Sequence, residues 1–151
     1  MSWTRLLSEN RVTREPSSKA ELDNLRSIVQ RCLSDVKATG LSDEQRFIIA
    51  YDAARTLSLM IVRACGYRPR RAGYHYYTFR ALDAADPVFA KTVAYFDACR
   101  TLRNESEYDY AGAITKDDAD ELERTVVRFR QEVSDWIIAK FPDLGQGGRS
   151  G

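Results

Sequence analysis

Between residues 53 and 82 the chain carries Arg55, Arg63, Arg68, Arg70, Arg71 and Arg80 and not one acid. Tyr67, Tyr74, His75, Tyr76, Tyr77 and Phe79 interleave with them. Guanidinium groups neutralise phosphates and fork onto them with two hydrogen bonds, while aromatic faces stack on unpaired bases. That combination of residue types is what a single-stranded RNA asks of a protein surface. Arg68, Arg70, Arg71 and Tyr76 are therefore candidate RNA- or nucleotide-binding residues. The alternative for this segment is a connection solvated by its charges that packs its own tyrosines.

A second cluster follows. Phe89, Val93 and Phe96 form an apolar stripe that continues at the same spacing into Arg100 and Arg103, so a face that begins as core ends in two guanidiniums. Asn104, Glu105, Glu107, Tyr108, Asp109 and Tyr110 come directly after. Cations at a helix C-terminus complement its dipole, which accounts for one arginine but not for so dense a group of Arg, Asn, acid and Tyr. Further on, Asp117, Asp118, Asp120, Glu121 and Glu123 make an acidic stretch opposed by Lys116. It suits docking on the arginines, of the same chain or of a second copy.

Other chemistries are poorly served. The 151 residues hold one histidine, which excludes a multi-histidine metal site, and no cofactor is expected. Cys32, Cys65 and Cys99 are an odd, widely spaced set without CxxC, and buried thiols are the expectation. No serine has a local histidine partner for a nucleophilic triad, and no glycine-rich phosphate loop is present. With 23 Lys and Arg against 22 Asp and Glu the net charge is +1, so any nucleic-acid role must rest on a local patch. No apolar run approaches the ~18–20 residues of a membrane span, and a cytoplasmic protein without membrane partner is expected.

The elements that must position these residues read as helices. Leu22, Leu25, Ile28, Val29, Cys32, Leu33 and Val36 recur at helical spacing over 18–38, with Ser17 or Ser18 as cap and Glu21 as capping-box partner. A second helix begins at Ser42, carries Phe47, Ile48, Tyr51, Ala54, Leu57, Ile61, Ala64 and Cys65 at core spacing and stops at Gly66, and a short third covers 76–84. The fourth starts after Asp86-Pro87 and reaches about Asn104; the last starts near Thr115, with Leu122, Val126, Phe129, Val133, Trp136 and Ile137 as its stripe. No segment alternates with period two long enough to predict a strand. The expected fold is all-α, an antiparallel bundle of four long helices plus one short helix, with an N-terminal arm over 1–17, the bundle over 18–141 and a flexible tail over 142–151.

The run Arg103-Asn104-Glu105-Ser106-Glu107-Tyr108-Asp109-Tyr110 resembles the Arg-x4-6-His motif of HEPN domains (higher eukaryote and prokaryote nucleotide-binding), whose toxin form reads Arg-x4-His-x-Tyr. The segments AYDAARTLS from Ala50, GYRPRRAGYHYYTFRAL from Gly66 and FDACRTLRN from Phe96 are similar to bacterial HEPN proteins as well, so the resemblance spans 18–141. It implies a helical bundle that forms a homodimer with both motifs in a shared cleft, and metal-independent ribonuclease activity in active members. Carried over, it implies Arg103 as the phosphate holder, Asn104 as the polar helper, and Tyr110 as the tyrosine modified by a partner nucleotidyltransferase antitoxin in some toxin–antitoxin pairs. Where the motif has histidine, this chain has Tyr108. A phenol of pKa ~10 is a poor proton shuttle at neutral pH, where imidazole near ~6.5 is suited, although it still donates a hydrogen bond. His75 is the other candidate for a proton-transfer role.

The expected function is a HEPN-like module that binds RNA, a nucleotide or a partner protein through a cleft centred on Arg103, without efficient nuclease activity. The alternatives are a metal-independent HEPN ribonuclease of a toxin–antitoxin or defence system, with Tyr108 or His75 in the histidine's role, and a helical adaptor whose charges serve assembly.

Overall fold

The computed structural model describes residues 1–108 and 112–145, with the backbone alone for 107 and 108. The fold is all-α. Four long helices, α2 (Lys19–Asp35), α3 (Asp43–Ala64), α5 (Ala90–Tyr108) and α6 (Lys116–Lys140), are joined by the shorter α4 (Tyr74–Ala85) and preceded by α1 (Trp3–Ser8). No helix among the described residues is long and apolar enough to cross a membrane.

Helices α2, α3 and α6 each start on a residue whose side chain accepts from one of the first N–H groups. Ser42 and Gln45 form a reciprocal capping box at α3, and Thr115 and Asp118 form another at α6. Gly73 precedes α4 in the left-handed region, φ 68°, and the helix starts two residues earlier than its sequence suggests. Asp86 caps a 3-10 turn over Pro87–Phe89 by accepting from the Val88 N–H at 3.0 Å, and α5 follows from Ala90.

Helix α3 is the axis of the core. From Ala53 to Ala64 every residue but Arg55 is buried, and α2, α4, α5 and α6 all lie against it. Its alanines at 50, 53, 54 and 64 leave room for those neighbours, while the hydroxyls of Thr56 and Ser58 are satisfied by carbonyls one turn back in the same helix. A relay of aromatic rings links the surrounding helices. Tyr51 meets Phe79 edge-on at 5.7 Å, Phe79 meets Phe96 at 5.3 Å, and Phe96 meets Phe129 at 5.2 Å. Each such pair contributes ~0.5–1.5 kcal/mol beyond the area it buries.

The N-terminal residues do what periodicity cannot announce. Val12–Arg14 (β1) pairs antiparallel with Tyr67–Pro69 (β2), in the register Val12↔Pro69, Thr13↔Arg68 and Arg14↔Tyr67. Three-residue strands are too short to show an alternating pattern, which is why the sequence predicts none. Leu6 and Val12 bury against Val62 and Ala81, and Trp3 stacks on Tyr67 at 4.1 Å.

Arg63, 1% exposed, ties this arm to the bundle. It donates to the carbonyls of Glu15, Pro16 and Tyr67 at 2.6, 3.1 and 2.9 Å and to the Glu21 carboxylate at 2.8 Å. Ser18 caps α2 as expected, but Glu21 does not complete a capping box. Its carboxylate turns to Arg63, to Arg68 at 2.7 Å and to the Ser17 hydroxyl at 2.6 Å. Charge-assisted bonds to two guanidiniums outweigh one neutral bond to a helix-end N–H.

Candidate functional site

The stripe that begins at Phe89, in the 3-10 turn, runs along α5 through Val93 and Phe96 out of the core and into Arg100 and Arg103, both half-buried. The Arg103 guanidinium lies over the Tyr51 ring, 5.3 Å from its centre, and Arg100 lies over Tyr76 at 5.2 Å while donating to Asp97 at 2.9 Å. Arg80 approaches Tyr76 as well, at 5.7 Å. From α3, one turn beyond Tyr51, Arg55 reaches over Tyr74 at 5.9 Å and stands 3.8 Å from Asp52. An aromatic face holds a guanidinium through its quadrupole rather than through the N–H donors.

The chain's one histidine belongs to this group. Helix α4 brings His75 Nδ1 to 3.1 Å from the Tyr51 hydroxyl, with the two rings 5.6 Å apart and the Tyr74 ring 6.1 Å from the imidazole. Burial, then the charges of Arg55 and Arg103 with Arg100 behind them, pushes His75 below its ordinary 6.5, against the opposing pull of Asp52. The same imidazole is neutral at pH 7. Burial also pushes Tyr51 up to about 12, against the lowering effect of Arg103, Arg100 and Arg55. Tyr51 is thus a neutral hydroxyl across the physiological range. It can donate to an imidazole nitrogen or accept from an N–H, and so serves His75 in either protonation state.

The other sequence-predicted residues fall in different places. Arg68 donates to Glu15 at 2.6 Å and to Glu21 at 2.7 Å, which offsets its charge within the fold. Arg70 and Arg71 are exposed on the connection leading into α4, and Asn104 is exposed on α5. The side chain of Tyr108 and the whole of Tyr110 lie outside the described residues. The acidic stretch meets an arginine of its own chain: Asp120 and Glu123 accept from Arg46 at 2.6 and 3.5 Å. Tyr51, which its spacing assigns to the core, and Arg55, one of six arginines in the basic segment, join the site only in three dimensions. A tyrosine and an arginine at i and i+4 on one helix face were the available signal.

A groove of about 640 Å³ opens on the other side of α3, with Leu57 and Met60 among its lining residues. Met60 is about two and a half turns from Tyr51, on the opposite face of the helix. The groove's charged rim is paired within itself: Lys19 with Asp23 at 2.8 Å, and Arg130 with Gln30 at 2.6 Å. Burial pushes Cys65 and Cys99 up to about 12, so both are thiols rather than reactive thiolates. Among the described residues no group of three or more His, Cys, Asp or Glu is placed to hold a metal ion. Comparison with family models, with curated proteins and with solved structures finds no match to this chain.

Proposed function

We propose that this chain is a HEPN-like module that binds single-stranded RNA on the face formed by Arg55, Arg100 and Arg103. Guanidinium groups take the phosphates, and Tyr74, with a single guanidinium over its ring, offers its other face to a base. The observation that carries this reading is the convergence of three guanidiniums from two helices on one Tyr51–His75 pair, with Asp52 and Asp97 as the carboxylates beside them. Exposed Arg70 and Arg71 extend the positive surface toward the start of α4. The reading includes a homodimer in which two such faces meet.

A second reading, a metal-independent ribonuclease, is favoured by one observation. His75 is one side chain away from Arg103, with Tyr51 between them. One experiment separates the two. Labelled single-stranded RNA is incubated with wild type and Arg103→Ala without metal, then run on native and denaturing gels. Binding of intact RNA that the variant loses supports the RNA-binding module. Cleavage that the variant loses selects the ribonuclease. Neither effect leaves a helical adaptor. Light scattering at micromolar concentration tests the dimer, and a single species at the 17.2 kDa chain mass counts against it.

A further inference from the structure

We propose that His75 is part of the anion-binding site and takes up a proton when an RNA phosphodiester settles against Arg55, Arg100 and Arg103. This rests on the RNA-binding reading and adds to it a group that senses whether the site is filled.

The imidazole is enclosed by charge on each side that is described. Helix α3 contributes Tyr51, Asp52 and Arg55, helix α5 contributes Arg100 and Arg103, and α4 itself contributes Tyr74. Burial, and then the three cations against the pull of Asp52, disfavour a further positive charge on the ring. An anion placed among them cancels that field and adds its own attraction for imidazolium, so the proton affinity of His75 rises on binding. Linkage then requires the converse: RNA binds more tightly as the pH falls. The fold already holds what the change of charge needs. The Tyr51 hydroxyl, 3.1 Å from Nδ1, can donate to that nitrogen when it is bare and accept from it when it carries a proton, without any movement of the backbone.

Assignment is unusually clean in this chain. It has one histidine, and imidazole is the only side chain whose ordinary pKa lies in the window between about pH 5.5 and 7. Burial moves Cys32, Cys65 and Cys99 further away from that window.

The test is calorimetry of oligouridylate binding, since neither its diesters nor its uracils titrate in that window. Binding at about pH 6.5 is measured in two metal-free, phosphate-free buffers of different ionisation enthalpy. Wild type should take up a substantial fraction of one proton per complex, and its affinity should rise several-fold from about pH 7 to 5.5, below the tenfold per unit that one proton allows. His75→Asn, whose amide oxygen still accepts from Tyr51, should bind with no uptake and a flat pH profile. Wild-type binding that Arg103→Ala loses but that shows the same enthalpy in both buffers overturns the proposal and leaves the RNA reading standing. Proton uptake that persists in His75→Asn also overturns it. Oligouridylate that does not bind the wild type at all overturns the RNA reading and this proposal together.

Discussion

Arg63 and Arg103 sit on neighbouring helices, and each lies close to a tyrosine, yet the surroundings of the two regions differ. Arg63 and its neighbour Arg68 meet oxygen: two carboxylates, from Glu15 and Glu21, and three main-chain carbonyls. Arg55, Arg80, Arg100 and Arg103 meet aromatic rings, at 5.2–5.9 Å from their centres. In the first region the positive charge is neutralised where it stands and its value is mechanical, since it fastens the N-terminal residues to the bundle. In the second, the carboxylates Asp52 and Asp97 face three guanidiniums around the Tyr51–His75 pair. Residue type alone does not separate the two groups; what the folded chain supplies as partner does.

The contrast can be broken at several strengths. The largest effect belongs to Arg63→Met. It leaves the Glu21 carboxylate, 28% exposed, without its main partner and three carbonyls without a donor, and should destabilise the protein by about 3–5 kcal/mol in urea unfolding. An unchanged midpoint would show that the arm is held by its apolar contacts instead. Acid unfolding probes the same clamp from the other side. Burial alone would raise the Glu21 carboxyl, but hydrogen bonds from Arg63, Ser17 and Arg68 hold it at about 2, against 4.5 in the unfolded chain. Because the folded value is depressed, this stabilisation is present above about pH 4.5 and lost as the pH falls toward 2. Stability measured through that window should drop in wild type and stay flatter in Arg63→Met.

The ring-bound region responds more weakly and at higher pH. Tyr51→Phe removes the hydroxyl that His75 meets and should cost about 0.5–1.5 kcal/mol, read as a lower urea midpoint. His75 binds its proton less readily in the folded chain than at its ordinary 6.5. The folded state is therefore favoured most above that pH, and a melting curve without RNA should shift down as the pH falls below it. His75→Asn should abolish that shift while keeping the Glu21-dependent loss at lower pH. The smallest effect is expected of Arg70→Ala with Arg71→Ala, both exposed, whose stability should stay within about 0.5 kcal/mol of wild type.

Much of the scaffold was legible because it depends on local rules. Helical spacing and the caps Ser18, Ser42, Asp86 and Thr115 locate the helices to within a few residues, since a cap acts on N–H groups two or three positions away. What sequence order could not show is pairing at long range. Arg63 and Arg68 find their carboxylates on residues more than 40 positions earlier, so within the basic segment they look like Arg70 and Arg71. The β1–β2 pair is hidden for the same reason. Tyr51 reads as core because it is core, fully buried; only the approach of α4 and α5 turns its hydroxyl toward His75 and its ring toward Arg103.

The division between the two arginine regions is tested most directly by the salt dependence of oligouridylate affinity in three proteins: wild type, Arg100→Ala/Arg103→Ala and Arg68→Ala. On single strands each phosphate contact contributes about 0.7 to the slope of log affinity against log salt. The double variant should lose at least about tenfold in affinity and about 1.4 from that slope, whereas Arg68→Ala should keep the wild-type slope. An unchanged slope in the double variant, or an equal fall in Arg68→Ala, would contradict the assignment of RNA phosphates to the ring-bound arginines.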